Sequence, residues 1–495
     1  MTRNPATAAL RADPSAARES LQPMAAQALT RAAGAPLVPG NRVKLLRDAT
    51  ENYPAWLAAI ENARRTITME SYIFADDPVG NRFAAALGAA AKRGVRVRVL
   101  QDWLGARGEA SRHFWARLKD AGVEVRWFNP FDYGAPLAWL RRNHRKSLVM
   151  DDVGFVTGLC IAERWAGDPA HGKPAWRDTG ICIEGPAVAD LSDAFARTWA
   201  ESGAPVEKPL PKRAEIPAAG DVSLRVIATE PATTGIFRLD TLVAAVSRRT
   251  LWLTDAYFIG MPTYVQALRA AAIDGVDVRL LVPGASDLGL VKRFGSAGYR
   301  PLLEAGIRVF EWNGPMLHAK SAVADGLWAR VGSSNLNMAS FMGNWELDVA
   351  IEDPRFAGEM ESAYEQDLAN ATEVVLGRRR RTDRPRASRS NRAREGSAVA
   401  TAGAIRMGNT VSAALGGHRV LRPAEAGLLI GGGAFLVAIA ALVAVFPWLI
   451  ALPFAIVGCW LGITLFVNGI KLRRKRAESL ATHVVPIPDR RSKPY

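Results

Sequence analysis

The sequence contains little cysteine and no metal-binding motif. Three cysteines, Cys160, Cys182 and Cys459, occur among 495 residues, and this small number excludes a disulfide framework and fits a reducing compartment. HExxH and CxxC patterns are absent, so we expect no metal and no cofactor. Residues 1–38 hold no unbroken apolar segment. We therefore expect residues 1–40 to form a disordered extension without a secretory signal.

Acidic residues are scarcer than basic ones, and the imbalance is local. The chain has 63 lysines and arginines against 48 acidic residues, a formal charge of +15. Residues 378–394 hold nine arginines against the single acidic residue Asp383, and residues 471–476 add five basic side chains. The rest of the chain is therefore close to neutral and lacks the basic groove that nucleic acid binding requires. No nucleic acid partner is expected.

Two short stretches repeat one arrangement of histidine, lysine and aspartate. They read HRKSLVMD at 144–151 and HAKSAVAD at 318–325. Residues two apart on a β-strand share a face, so His144 projects with Lys146, and His318 with Lys320. Two imidazoles and two ammonium groups supply the nucleophile, the acid and the positive charge that cleavage of a phosphodiester needs without a metal.

Four carboxylates accompany these motifs. Asp151 and Asp325 follow the histidine by seven positions, an odd offset that turns them away from it, so we expect them to hold the following turn. A nucleophilic imidazole needs a carboxylate on its other nitrogen. Glu346 is the candidate for His318 in the second half. Asp178, in the string WRDTGICIEGP, is its counterpart in the first half.

The segments that follow the two motifs differ. The second motif precedes GSSN at 332–335, and we expect Ser333 and Asn335 to contact a phosphate. The first half has GLCI at 158–161, which lacks the hydroxyl and the amide. The predicted pocket is therefore asymmetric.

The two halves also match outside the motifs, which indicates a duplicated unit. TITMESYIF at 66–74 parallels TLWLTDAYF at 250–258, and AGVEVRWF at 121–128 parallels AGIRVFEW at 305–312. Strands alternate with helices in each half, so the predicted fold class is α/β. We expect two tandem repeats, each a mostly parallel sheet flanked by helices, related by a pseudo-twofold that brings both motifs into one cleft.

These motifs resemble those of the phospholipase D superfamily, and the WRD segment at 176–178 resembles that of bacterial cardiolipin synthases. The resemblance implies transfer of a phosphatidyl group from phosphatidylglycerol to the hydroxyl of a second phospholipid through a phosphohistidine. It implies His144 as nucleophile, His318 as acid and then base, and Asp178 as the residue that orients the first histidine. The predicted catalytic set is His144, Lys146, Asp151, Asp178, His318, Lys320, Asp325 and Glu346.

A long uncharged segment follows the duplicated unit. No charged residue occurs between 426 and 470. A segment of this length suffices for two transmembrane helices, predicted at 428–446 and 448–470. Basic residues flank both ends of this segment. We therefore expect both ends, and the catalytic unit, to lie on the cytoplasmic face of a bacterial inner membrane. The expected partners are membrane phospholipids and an anionic bilayer surface. The predicted domains are a 1–40 extension, repeats at 41–205 and 206–376, an arginine-rich linker at 377–423, the membrane segment at 424–471 and a basic tail at 472–495.

Three other functions remain compatible with the sequence. A membrane-bound phospholipase D, or another phosphatidyltransferase, would use the same site with water or a different alcohol as acceptor. A nuclease would cleave single-stranded DNA without added metal and would not need residues 426–470. A membrane scaffold with a degenerate site is suggested by Leu159 and Ile161, but both histidine-lysine pairs are retained.

Overall fold

The structure is a computed structural model in which the described residues are 25–131, 141–206, 212–231, 233–288, 298–375 and isolated positions between 452 and 470. The chain divides into two compact units. The first comprises residues 1–131 and 137–382, and the second comprises residues 132–136 and 383–495. The positions described in the second unit are helical. The architecture that follows is that of the first unit.

Both halves of the first unit are built from the same succession of elements. In the first half these are β1 Val38–Arg47, α1 Asp48–Asn62, β2 Thr66–Ser71, α2 Pro78–Lys92, β3 Arg96–Asp102, α3 Arg112–Asp120, β4 Glu124–Phe128, β5 Ser147–Met150, β6 Val153–Thr157, α4 Glu163–Ala166, β7 Thr179–Glu184 and α5 Val188–Glu201. In the second half they are β8 Val222–Thr229, α6 Gly235–Val246, β9 Thr250–Thr254, α7 Pro262–Ile273, β10 Asp277–Pro283, α8 Tyr299–Glu304, β11 Arg308–Trp312, β12 Ser321–Ala324, β13 Trp328–Gly332, β14 Glu346–Glu352, α9 Pro354–Leu368 and β15 Ala371–Val374.

The strands form one fifteen-stranded sheet whose order repeats. From the centre outwards, the first half runs β1-β7-β6-β5-β2-β3-β4 and the second runs β8-β14-β13-β12-β9-β10-β11, with β15 at the edge. The halves join through antiparallel pairing of β1 with β8. Helix α5 of the first half contacts β8, and α9 of the second half contacts β1. This order confirms the α/β class and the duplication, and one of the hydrophobic clusters contains buried residues of both halves.

The prediction that each sheet is mostly parallel is wrong. Among the described strands, β2-β3-β4 and β9-β10-β11 pair in parallel, and the remaining neighbours are antiparallel. The cause is the short connection after each motif: two residues join β5 to β6, and three join β12 to β13. A connection of this length returns the chain beside itself in the opposite direction.

Local sequence signals account for the ends of several helices. Asp77 caps α2 by accepting a hydrogen bond from the Gly80 amide, and Asp353 caps α9 in the same way. Gly94 and Gly275 lie just beyond the ends of α2 and α7 with φ of 89° and 95°, a region that glycine enters without steric cost.

The predicted extension over residues 1–40 is too long. Residues 25–33 are helical, and β1 begins at Val38. Ala33 and Ala35 are buried in the core of the second half, and the Arg225 guanidinium donates to the hydroxyl of Thr30 and the carbonyl of Ala35. The alanine-rich residues 25–33 therefore form a helix because the core of the second half covers their apolar side.

The predicted linker at 377–423, the two helices at 428–446 and 448–470, and the tail at 472–495 lie outside the described residues, apart from the isolated helical positions. Within the part of the chain that the structure describes, no helix combines the length and apolar character needed to cross a membrane.

Candidate active site

The two motif histidines lie just before β5 and β12, where each segment pairs with the other half of the chain. The His144 amide donates to the Trp345 carbonyl at 2.9 Å, and the His318 amide donates to the Arg177 carbonyl at 2.7 Å. Each histidine is thus positioned by backbone from the opposite repeat, and the two motifs meet where the halves join.

The carboxylates that support the histidines are exchanged between the halves. Glu346 Oε2 lies 3.0 Å from His144 Nδ1, and Asp178 Oδ2 lies 2.8 Å from His318 Nδ1. The predicted pairing of Asp178 with His144, and of Glu346 with His318, is therefore wrong. The cause is topological: β7 and β14 lie towards the centre of the sheet, and the residues preceding them pair with the histidine segments across the pseudo-twofold.

Both lysines are buried beside these histidines. Lys146 Nζ donates to the His144 carbonyl at 2.6 Å. Lys320 Nζ lies 3.0 Å from His318 Nδ1 and also donates to the His318 carbonyl. Burial lowers the pKa of Lys320 to about 8, and the pKa of Lys146 is lowered for the same reason. Two ammonium groups therefore lie next to the imidazoles with little solvent to screen them.

The imidazoles are neutral in the free protein. Burial, followed by the Lys320 ammonium, lowers the pKa of His318 to about 3. Burial also lowers the pKa of His144, and Lys146 and Lys320 act in the same direction. Because Nδ1 of each ring faces a carboxylate, Nε2 of each ring carries the lone pair that can attack an electrophile or accept a proton.

The supporting carboxylates are ionised. Burial is the largest influence and acts to raise the pKa of Asp178 and of Glu346, but the contacting histidine, the nearby lysine and further hydrogen bonds together lower both pKa values below the ordinary value. Lys320 helps to lower the pKa of Asp178. Each carboxylate can therefore fix the tautomer of its histidine and stabilise an imidazolium.

The motif aspartates lie at the far end of β5 and β12 from the histidines. Asp151 accepts hydrogen bonds from three consecutive backbone amides, at residues 64–66, and Asp325 does so from residues 248–250. Both have left-handed φ, of 50° and 55°. Their placement in the catalytic set is therefore wrong. The expectation that they hold the turn after the motif is also corrected, because each carboxylate holds the turn before β2 or β9 instead.

Ser333 and Asn335 have different surroundings. Ser333 Oγ donates to Glu346 Oε2 at 2.6 Å and accepts from the Leu347 amide, so the hydroxyl positions the carboxylate that supports His144. The side-chain oxygen of Asn335 is buried without a hydrogen-bond partner. The Ser333 hydroxyl is therefore engaged. The Asn335 side-chain oxygen is a free acceptor, which can bind a hydroxyl donor of a substrate but not an anionic phosphate oxygen.

The asymmetry between the halves has a structural cause. The amides of Thr157 and Gly332 both donate to the motif lysine carbonyl of their own half, so these two residues are equivalent and Gly158 corresponds to Ser333. A Cβ on Gly158 would lie 2.1 Å from Asp178 Oδ1. In the first half the Asp178 carboxylate therefore occupies the place that a side chain takes in the second half.

Aromatic rings surround the histidines. Tyr72 lies 5.1 Å from the His144 ring and Tyr257 lies 5.8 Å from the His318 ring, measured between centroids. Trp165 packs edge-on against His318 at 5.2 Å, and its indole donates to Asp178 Oδ2 at 3.0 Å. Trp165 lies close in sequence to the WRD segment, and this closeness is the sequence feature that could have identified it as a residue of the site.

Comparison with known proteins identifies the family. A family model described as "Cardiolipin synthase, PLD-like domain" matches residues 56–162 and 242–368. Cardiolipin synthase A of Pseudomonas entomophila (strain L48) is 33% identical over 380 residues, covering 74% of this chain and 77% of that protein. Cardiolipin synthase 1 of Bacillus anthracis is 30% identical over 357 residues, covering 69% of each chain. The chain belongs to the bacterial cardiolipin synthase family.

A solved structure agrees with this family at the level of the fold. Phosphatidylserine synthase of Haemophilus influenzae Rd KW20 superposes with a TM-score of 0.59 at 16% identity, covering 71% of this chain and 92% of that chain. The likeness supports the duplicated phospholipase D fold that the strand order displays.

In this cardiolipin synthase family member, Arg177 of the WRD segment is bound by carboxylates. Its guanidinium donates to both oxygens of Asp367 at 2.9 Å and to Asp48 Oδ1 at 3.1 Å. The carbonyl of Arg177 holds the His318 amide. Arg177 therefore ties α9 to the segment that presents His318, and it is a positioning residue.

Proposed function

We propose that the protein is a cardiolipin synthase-type phosphatidyltransferase that forms a phosphohistidine and uses phosphatidylglycerol as both donor and acceptor. The observation that carries this proposal is the pair of buried imidazoles, each hydrogen-bonded through Nδ1 to a carboxylate of the other half and each beside a lysine. This arrangement supplies the nucleophile, the proton carrier and the positive charge of a phosphodiester transferase.

In the first step, His144 Nε2 attacks the phosphorus of one phosphatidylglycerol. The phosphorus–nitrogen bond forms as the phosphorus–oxygen bond to glycerol breaks, and His318 gives its proton to the departing glycerol oxygen. Glu346 then stabilises the positive charge on the His144 ring. Lys146 and Lys320 neutralise charge on the non-bridging oxygens. The Asn335 side-chain oxygen accepts a hydrogen bond from a hydroxyl of the glycerol head group.

In the second step, His318 takes the proton from a hydroxyl of the second lipid. The hydroxyl oxygen attacks the phosphohistidine, the phosphorus–nitrogen bond breaks, and His144 is released with the product. The bond broken and the bond formed are both phosphodiester bonds, so no nucleotide is required. Because water competes with the lipid hydroxyl, the acceptor must exclude water from the site.

Substrate binding accounts for the protonation that the first step needs. His318 has a pKa of about 3 in the free protein because it is buried beside Lys320. A bound phosphodiester brings a negative charge that offsets both lysines, and this charge raises the pKa of a neighbouring imidazole. His318 then becomes a proton donor while His144 attacks as the neutral ring.

We place the protein at the bacterial inner membrane with the catalytic unit on the cytoplasmic face. The support is the uncharged segment at 426–470, its basic flanks and the arginine-rich stretch at 378–394, which would favour an anionic leaflet.

The test is to incubate the purified full-length protein with phosphatidylglycerol alone and to analyse the lipids. Cardiolipin with an equal amount of glycerol supports the proposal. Phosphatidic acid as the sole product assigns a phospholipase D, and absence of any lipid product with retained cleavage of single-stranded DNA assigns a nuclease. His318→Ala, tested in parallel, should abolish formation of cardiolipin.

A further inference from the structure

The catalytic unit exposes several large apolar side chains. In the catalytic unit the exposed ones among the described residues are Phe131, Val246, Ile259, Ile273, Leu288, Leu327, Met338, Met342 and Val375. Ile259, Leu288, Met338 and Met342 lie on loops that follow β9, β10 and β13. These four residues are called the apolar lip below.

The loops that carry the lip are held together. The Ile259 amide donates to the Leu336 carbonyl at 3.2 Å, and the Asn337 side chain donates to the Tyr257 carbonyl at 3.0 Å. The segment after β9 and the segment after β13 therefore form one surface, and Met338 is the next residue along it.

The same surface reaches the proposed proton carrier. The Tyr257 hydroxyl donates to Asp287 Oδ1 at 2.8 Å, and Leu288 follows Asp287. The Tyr257 ring lies 5.8 Å from the His318 ring. Tyr257 thus contacts His318 through its ring and Asp287, the residue before Leu288 of the lip, through its hydroxyl.

The two methionines are directed outwards by a short helical turn. Residues Ala339–Gly343 form this turn, and Phe341 within it is fully buried against Phe237. Met338 and Met342 stand four residues apart, which places them on one side of a helical turn. Their relative exposures are 66% and 43%, so each shows much of its side chain to the surroundings.

The two segments that carry Ile259, Met338 and Met342 are also free of charge along the chain. Residues 256–268 and 332–345 contain no acidic or basic side chain. Contiguous exposed apolar side chains without interspersed charge are typical of a surface that a partner covers.

We propose that the apolar lip is the surface through which the catalytic unit enters a phospholipid leaflet. The inference rests on the proposed function and deepens it. Both substrates are lipids whose phosphodiester must reach His318 while their acyl chains stay in hydrocarbon. A lip that penetrates the leaflet beside His318 shortens the distance the head group must rise and shields the site from water.

The other end of the sheet provides matched controls. Ile273 ends α7, before the start of β10, and Leu327 lies in the turn between β12 and β13. Their relative exposures are 69% and 57%, similar to or greater than those of the lip residues. They are equally apolar and equally exposed, but they lie away from the lip.

The first experiment compares two double variants of the full-length protein, Ile259→Glu with Met338→Glu, and Ile273→Glu with Leu327→Glu. Transfer is measured on phosphatidylglycerol vesicles and on dispersed short-chain phosphatidylglycerol. We expect the lip variant to lose about tenfold or more on vesicles and less than about twofold on the dispersed lipid. The control variant should keep both activities.

Equal losses of the lip variant on both substrates, or no loss on vesicles, would overturn the proposal. A wild-type protein inactive on both lipids would instead reject the proposed function, so a second measurement does not depend on turnover. A fluorophore is placed on Met338→Cys or Leu327→Cys, each with Cys459→Ser, in vesicles that contain lipids with a nitroxide on the acyl chain.

Quenching of the fluorophore at 338 but not at 327 supports insertion of the lip. Equal quenching, or none at 338, contradicts it. If the lip is instead covered by a second copy of the chain, the fluorophore at 338 stays unquenched and the lip variant sediments as a smaller species than the wild type.

Discussion

His318 Nδ1 lies 2.8 Å from the carboxylate of Asp178, although 140 residues separate them and they belong to different repeats. Glu346 and His144 are related in the same way across 202 residues. Each repeat therefore supplies one histidine and the carboxylate for the other repeat's histidine. A single repeat would have an imidazole without its partner, which explains why the duplicated unit is joined through one continuous sheet.

Asp178→Asn should lower turnover by about 100-fold or more while changing the stability of the fold far less. The amide cannot stabilise an imidazolium at His318, although its shape preserves packing. Turnover on phosphatidylglycerol and the thermal unfolding midpoint are the two measurements. Glu184→Gln is the control, because Glu184 lies on the same strand with its carboxylate partly exposed. Comparable losses of turnover and stability would contradict the role of Asp178.

The local chemistry of the site could be predicted from the sequence, but its pairing could not. Alternation along a strand placed each histidine beside its lysine and turned Asp151 and Asp325 away, because these relations need only the neighbouring residues. The exchange of Asp178 and Glu346 depends on which strands are central in the sheet, which no local pattern contains. Trp165 was missed for the same reason, since its contact with His318 is made across the two halves.

The residue-by-residue correspondence between the two repeats also could not be predicted from the sequence. Counting from the motif aspartate equates Gly158 with Gly332, whereas the hydrogen bonds equate Gly158 with Ser333. The first hairpin turn is one residue shorter than the second, so equal sequence distances do not give equal positions. A pattern of residue types cannot reveal this offset, because both alignments conserve the motif.

Ser333→Ala and Asn335→Ala should impair different kinetic parameters. Ser333 Oγ donates to Glu346, so its removal should lower kcat by about tenfold and change the pH profile while leaving KM nearly constant. Asn335 has an unpartnered side-chain oxygen, so its removal should mainly raise KM. Steady-state kinetics on phosphatidylglycerol would distinguish them. A rise of KM alone in Ser333→Ala would show that the hydroxyl contacts substrate instead.

Asp325→Ala should destabilise the fold without abolishing catalysis by the folded molecules. The carboxylate accepts hydrogen bonds from the largely exposed amides of residues 248–250, and losing a hydrogen bond of this kind costs about 0.5–1.5 kcal/mol. The unfolding midpoint in urea should fall, whereas kcat per folded molecule should stay within about twofold of wild type. Asp274→Ala, which removes another aspartate of the second repeat, serves as the control. A loss of kcat in the folded fraction would restore Asp325 to the catalytic set.

The stability of the catalytic unit should fall between pH 6.5 and 5, and His318→Gln should reduce this fall. Burial and Lys320 lower the folded-state pKa of His318 to about 3, whereas an unfolded histidine has a pKa of about 6.5. Below pH 6.5 the unfolded chain binds a proton that the folded chain does not, so stability is full above that pH and is lost as the pH falls towards 3.

At pH 5 this linkage amounts to about 2 kcal/mol. Urea unfolding at pH 7.5 and pH 5 would measure it. His113→Gln, which removes an exposed histidine of α3, should retain the wild-type decrease. If His318→Gln loses as much stability as the wild type, the imidazole is not held neutral by its surroundings.

The nucleophile can be identified by removing the need for a proton donor. A phosphodiester with a nitrophenolate leaving group departs without protonation, so His318→Ala should still complete the first step. Without the base for the second step, the covalent adduct should accumulate on His144, with a burst of nitrophenolate equal to the enzyme concentration. Mass spectrometry of the acid-labile, base-stable adduct would locate it. His144→Ala should show no burst, and an adduct on His318 in that variant would reverse the roles of the two histidines.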